Sequence, residues 1–350
     1  MPAQDGNLLS SDGREAQAEI TGELPSENPA SAQDAVEGPL LGFVFDRTRN
    51  EFRRIIGIPG SSLFGEPLQF AAPLSNAWIS PRQDYALAEQ EDGKIVLLDL
   101  RTVPTVTYPW GLLPGKDKQV ALSTNGSSAV LYDPHRLSIQ IVRGLPESPL
   151  VVGEWSVSGI SGEVASLAVD DLGQIVLLGC GLGNVGTAYQ ISSEQQLRMV
   201  YRGGKISDIS FLPQSQTAIL ADYTHNEIVM LQNLGEDPIV SNLPELRVWI
   251  YSPIAVSASI DGQRLFVANA GNNSITVFDL SSRETAQLAC SIVPKGLFRL
   301  AGGNTFRLNE AAGEPLYMVQ SDSSESRVLF VPMELEKPAD FHPETKKRRP

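Results

Sequence analysis

Two short stretches place a carboxylate just before an imidazole: Asp133-Pro134-His135-Arg136 and Asp222-Tyr223-Thr224-His225. A histidine held by an acid can act as a general base, a proton carrier or a metal ligand near neutral pH. None of the three histidines, His135, His225 and His342, stands in a recognisable zinc pattern. A third stretch, Gly181 to Gly186, reads GLGNVG after the apolar run Gln174 to Cys180. It matches the G-x-G-x-x-G loop that cradles a pyrophosphate, but that loop must open a helix and be followed about twenty residues on by an acid. The next residues, TAYQISSEQQLRMVYRG, have the pattern of a hairpin instead. With no G-x-S-x-G elbow, P-loop or H-E-x-x-H motif present, no cofactor is expected and no catalytic residue is assigned.

The elements that carry these residues repeat. Residues 77–100, 119–142, 165–191, 207–233, 254–280 and 297–321 share one internal order: an apolar strand, a DG, NG, LG or GN turn, a second strand, a polar loop and a third strand. A fourth, less regular strand comes after it, as in PLVVGEW, LRMVYRG and RVLFVPM. The Asn, Asp and Gly turns supply the positive φ that tight hairpins need. Each unit is therefore a four-stranded antiparallel meander. Its starts are spaced by 42 to 47 residues, the range of propeller blades. Helical periodicity is absent between the strands, which excludes a helical solenoid.

Upstream, residues 42–60 and 66–72 add about three more strands. Counted as a blade, they give an all-β, seven-bladed β-propeller of four-stranded antiparallel blades over residues 39–333. That first blade either keeps three strands or takes a fourth from elsewhere, and if its strands complete the last blade the ring has six. In such a ring GLGNVG is a second-to-third-strand loop, in register with QEDGK, DYTHN and NAGNN.

The second strands end at Glu89, Asp133, Asp222, Asn269 and Asn309. These positions should ring the channel mouth, with Tyr223, His135 and His225 in the loops beside them. Together the eight form a candidate rim site for a cation or a small polar ligand. The competing role is hydrogen bonding within the ring, because buried polar groups find partners. Asp46, Asp99 and Asp279 recur at strand ends, where a carboxylate accepts hydrogen bonds from turn amides.

Residues 260–280, IDGQRLFVANAGNNSITVFDL, resemble the YVTN-type repeat of bacterial β-propellers. Asp261-Gly262, Leu265 to Asn269 and Ser274 to Asp279 stand for its DG turn, YVAN-like strand and SVSVID-like strand. The resemblance implies the seven-bladed fold of a superfamily that includes surface propellers and lactonase-like enzymes. It carries no catalytic residue onto this chain.

The chain has 350 residues and a net charge of −14, which argues against a nucleic-acid partner, since phosphate contacts need a basic stripe. Residues 1–38 hold eight acids against one base and too little apolar area to offset ordering; they are expected to be a disordered acidic arm. Residues 334–350 are expected to be a disordered tail. No run of eighteen apolar residues and no leader pattern occurs, so membrane insertion is not expected and a cytoplasmic location is the default. With only Cys180 and Cys290, no disulfide framework is legible. The preferred reading is a monomeric, non-enzymatic binding module whose rim loops hold a protein or a small polar ligand. The alternative is a lactonase-like or other hydrolytic enzyme using Asp133, His135, Asp222 or His225 at the channel mouth.

Overall fold

The structure, a computed structural model, describes residues 38–332 apart from 102–105, 110–111, 113–114, 193–196, 312–313 and 323–324. The expected arm, but for Gly38, and the expected tail, with His342, lie outside the described residues. Every described regular element is a β-strand except one 3-10 turn, Pro244–Leu246.

Seven sheets succeed one another along the chain. Blade 1 holds β1 (Leu40–Asp46), β2 (Glu51–Ile58) and β3 (Ser61–Leu68). Blade 2 holds β4 (Leu74–Ile79), β5 (Tyr85–Gln90), β6 (Ile95–Asp99) and β7 (Val106–Pro109); blade 3 holds β8 (Gln119–Leu122), β9 (Ser128–Asp133), β10 (Ser138–Arg143) and β11 (Leu150–Ser156). Blade 4 is β12 (Glu163–Val169), β13 (Ile175–Leu182), β14 (Val185–Ser192) and β15 (Leu197–Gly203); blade 5 is β16 (Ile206–Phe211), β17 (Ala218–Asp222), β18 (Glu227–Gln232) and β19 (Ile239–Asn242). Blade 6 is β20 (Pro253–Ala258), β21 (Arg264–Asn269), β22 (Ser274–Asp279) and β23 (Thr285–Ala289). Blade 7 is β24 (Phe298–Arg299), β25 (Thr305–Arg307), β26 (Leu316–Ser321) and β27 (Ser326–Val331). All pair antiparallel with their chain neighbours, as a meander requires.

The seven-bladed reading stands, and the six-bladed one is excluded because β1, β2 and β3 form a sheet of their own. Of the two arrangements open for the first blade, the three-stranded one is seen among the described residues.

Middle strands are buried on both faces, so their sequences do not alternate: all six residues of β9 and all five of β17 are buried. The core is a set of seven hydrophobic clusters, each shared by two adjacent blades. Phe211 of β16 packs with Leu177 of β13, for example, and Phe266 of β21 with Phe306 of β25 at 4.8 Å between ring centroids. The seventh joins Leu41, Val44, Ile55 and Phe64 of blade 1 to Leu300, Leu316, Met318 and Val331 of blade 7. This closes the ring by packing, with no strand exchanged between the two blades among the described residues.

Strand β1 behaves as a second strand. Asp46 Oδ1 accepts from the amides of Thr48 (2.9 Å) and Arg49 (3.2 Å), just as Asp133 Oδ1 accepts from those of His135 (3.0 Å) and Arg136 (3.1 Å) at the end of β9. The loop DRTRNE (46–51) repeats DYTHNE (222–227), and Asn50 and Asn226 share φ 54. The strand that blade 1 lacks is thus the innermost one, beside the channel.

The buried side chain of Gln83 does part of that strand's work. Its Oε1 accepts from the Phe43 amide at 2.7 Å, and its Nε2 donates to the Arg299 carbonyl at 2.7 Å. One side chain from blade 2 therefore ties blade 1 to blade 7. Gln83→Ala leaves both backbone groups without these partners and should cost about 2 kcal/mol. A lower urea midpoint at unchanged slope would show it.

GLGNVG closes the hairpin between β13 and β14, where Leu182 pairs with Val185 and Gly183 sits at φ 63, a value that a tight two-residue loop demands. The chain continues from it as strand, not helix, so the pyrophosphate reading falls. Cys180 and Cys290 are both free thiols. Among the described residues no helix is long and apolar enough to cross a membrane.

Candidate functional site

The eight rim residues sit where the repeat puts them, at or just beyond the ends of second strands, and most are engaged locally. Asp222 is fully buried; its Oδ2 accepts from Tyr201 Oη (2.8 Å) and the Gly204 amide (2.7 Å) and lies 2.9 Å from His225 Nδ1. Burial alone would raise its pKa, but these hydrogen bonds outweigh it and hold the carboxyl below the ordinary value. Tyr223 is half exposed, with Lys205 over its ring.

Asn269 is also fully buried, accepting from the Tyr251 amide (3.0 Å) and donating to Thr276 Oγ1 (3.0 Å). Asn309 accepts from the Tyr317 amide (2.8 Å) and donates to the Pro315 carbonyl (3.0 Å). Exposed His135 meets Asp117, in the segment that leads into β8, at 3.4 Å. Glu89 opens onto a shallow groove with Asp117 and Lys118, and burial followed by the Asp117 charge raises its pKa. The two histidines thus belong to two separate acid–histidine pairs. Among the described residues no group of three or more His, Cys, Asp or Glu is placed to hold a metal ion.

The channel contains something else. A cavity of about 450 Å³ runs along it, bounded by residues of the inner strands β4, β8, β16, β20 and β24 of five blades and, on the side of blade 1, by Phe43 and Phe45 of β1. None of the eight rim residues lines it. Its volume is in the range of small-molecule sites, and on the side of blade 1 it reaches β1, which no inner strand covers among the described residues.

The charged side chains lining it are Arg47, Lys295, Arg299 and Arg307 against Asp208 and Glu310. In a chain of net charge −14 this is an inverted balance. Blade 7 generates it through a short repeat, Phe298-Arg299-Leu300 and Phe306-Arg307-Leu308, on two antiparallel strands. The register sets Phe298 opposite Arg307 and Arg299 opposite Phe306. Each guanidinium then lies on the opposing ring, 4.6 Å for Arg299 over Phe306 and 4.1 Å for Arg307 over Phe298.

Both arginines satisfy part of their hydrogen bonding with carbonyls. Arg299 donates to Gly303 (2.7 Å) and Ala258, and Arg307 to Asn309 (2.7 Å). Neither forms an ion pair within 4.0 Å among the described residues. Burial pushes each down to about 10, and for Arg307 the Glu310 charge works the other way; both side chains stay half-buried. Glu310 pairs instead with Arg47 at 3.5 Å.

Asp208 is half-buried and lines the cavity. Burial drives its pKa up to about 6 against the hydrogen bonds it accepts from the Val256 and Ile209 amides, both 2.9 Å, and Ser166 Oγ, 3.3 Å. It ties blades 4, 5 and 6 together. Burial favours its neutral form, and loss of this negative charge would enlarge the cavity's positive excess.

No family model matches the chain, and no curated protein does. The similarity found is to solved structures. A protein from Lactobacillus plantarum superposes with a TM-score of 0.56 at 14% identity, covering 83% of this chain and 98% of that one. A catalytically inactive virginiamycin B lyase from Staphylococcus aureus with quinupristin gives 0.52 at 13% identity, over 74% and 84%. A functionally unknown protein from Desulfotomaculum acetoxidans gives 0.50 at 14% identity, over 70% and 77%. At such identities the likeness concerns the fold alone.

Proposed function

We propose that this seven-bladed propeller is a non-enzymatic binding module whose channel cavity holds an anionic ligand, a carboxylate or a phosphate. The observation that carries it is the pair Arg299 and Arg307, half-buried beside an open cavity and without an ion pair within 4.0 Å among the described residues. A planar guanidinium held in place on an aromatic ring offers paired N–H donors matched to either anion. Arg47 and Lys295 add positive potential, and Trp78 and Leu122, which also line the cavity, suit a ligand with an apolar part.

Thermal unfolding of the full chain with citrate, inorganic phosphate and, as a cationic control, spermidine tests it. One anion class should raise the midpoint by several degrees at about a hundredfold excess over Kd, a stabilisation of about 2.7 kcal/mol. Calorimetry should return one site, weakened by salt. If neither anion shifts the midpoint more than spermidine does, the proposal fails.

A further inference from the structure

The cavity has a backbone side as well as a charged one. In blades 2 to 7 the second strand pairs inward with a first strand, as β21 does with β20. Along β1 the inward edge is only partly used: the Leu41 carbonyl accepts from the Ala301 amide at 2.8 Å, and the Phe43 amide donates to Gln83. Residues of an antiparallel strand alternate in the edge to which their backbone groups point. Since Phe43 points away from β2 and the register from Phe43 to Phe45 is regular, the Phe43 carbonyl and both backbone groups of Phe45 point into the cavity. None of these three takes a partner among the described residues, and Phe43 and Phe45 both line the cavity. The edge is stopped at one end by Ala301 and Gln83 and open at the other, where Arg47 stands. An unpaired strand edge is a template for another extended chain.

We infer that the ligand is a short extended acidic segment of a partner polypeptide, which adds to β1 as the missing inner strand of blade 1. This rests on the anionic reading of the cavity and deepens it. At about 3.3 Å per residue, the edge from Phe43 to Arg47 takes four or five residues. Successive side chains of such a strand face opposite ways. One set meets Arg299 and Arg307 of blade 7 and is acidic; the other meets Ala77 and Ile79 of blade 2 and is apolar. A free dicarboxylate would use the guanidiniums and leave the three backbone groups of β1 unpaired, so the edge selects a peptide.

The probes are the capped hexapeptide acetyl-Asp-Val-Asp-Val-Asp-Val-amide, its Lys-for-Asp counterpart, two forms of the acidic peptide N-methylated at every Asp or at every Val, and free succinate. The full-length chain is titrated with each by calorimetry, and exchange of the Phe45 amide hydrogen is followed in parallel. The acidic peptide should bind at least tenfold tighter than the Lys peptide and than succinate. One N-methylated form should lose at least tenfold while the other keeps most of its affinity, and Phe45 exchange should slow at least tenfold in the complex. If both N-methylated forms bind like the parent, if Phe45 exchange is unchanged, or if succinate matches the peptide, strand addition is overturned while the anion site survives. Binding of citrate with no binding of any peptide likewise overturns strand addition and leaves the anion site. If neither citrate nor the acidic peptide binds, both readings fall.

Discussion

An Arg307→Met variant should bind a carboxylate or phosphate ligand roughly 10- to 100-fold more weakly than the parent chain, and should unfold at the same temperature or a higher one. The first half follows from the strength of hydrogen bonds to a charged group, about 1.5–3 kcal/mol in a desolvated setting, at 1.4 kcal/mol per decade. The second half rests on the state of Arg307 without ligand. Its charge sits in a poorly solvated place against the Phe298 ring and the Asn309 carbonyl, and burial lowers its pKa. Methionine fills similar volume against Phe298 and removes that penalty. A residue that weakens the fold and strengthens binding is what a functional site predicts. Arg307→Lys, which keeps the charge but loses the planar fork, should fall between. Calorimetric titration alongside thermal unfolding checks both halves. A midpoint lowered by more than about 5 °C would mean that Arg307 is there to hold blade 7 together.

Asp222→Ala should destabilise the ring by about 3–4 kcal/mol, the largest effect expected of any of the eight rim residues. Its carboxylate is fully buried, and its removal strips partners from the Gly204 amide, the His225 amide at 2.9 Å and the Tyr201 hydroxyl at once. These groups belong to the β17–β18 loop and to the end of β15, so the link between blades 4 and 5 loosens. Asp222→Asn, which keeps one acceptor, should cost less. The pH dependence has a definite sign. Because the folded carboxyl titrates below its unfolded value, its stabilisation is complete above about pH 4 and is lost as the pH falls through the folded value. The gap between parent and Asp222→Ala should therefore be full at pH 6 and narrow toward pH 3. Urea midpoints across that range measure it, and a gap that widens on acidification would sink the account.

How much of this was legible in the sequence depends on what repetition can reveal. Six blades announce themselves because hairpin turns and apolar strands recur at a near-constant interval, and repetition outweighs a single GLGNVG. The carboxylates at strand ends were readable as turn acceptors: Asp279 Oδ1 does accept from the amides of Ser281 (2.9 Å) and Ser282 (2.8 Å). The second-strand residues were expected at the channel mouth, yet the cavity is lined mainly by first strands, to which pattern reading assigned no site residue. The basic pair was missed for a related reason. Phe298-Arg299-Leu300 and Phe306-Arg307-Leu308 look like amphipathic strand, and only the register shows each arginine lying on the other strand's ring. A cue was present: Arg299 puts a charge mid-channel where β20 and β8 carry Ala, Val and Ser. Absence of a strand is also invisible to pattern reading, although DRTRNE beside DYTHNE gives β1 its place.

The way the ring shuts has a kinetic meaning. Blades 1 and 7 are held by side-chain packing, by Gln83 and by the hydrogen bond from the Ala301 amide to the Leu41 carbonyl, with no strand ladder shared between the two ends of the propeller among the described residues. A ring fastened so has a latch, and the rate of unlatching, more than the equilibrium stability of any blade, sets how long the closed form lives. The proposed ligand would sit on that latch, touching β1 on one side and Arg299 and Arg307 on the other. By linkage, a molecule that binds only the shut ring stabilises closure by its own binding free energy. The residence time of the ligand and the lifetime of the ring are then two readings of one clasp.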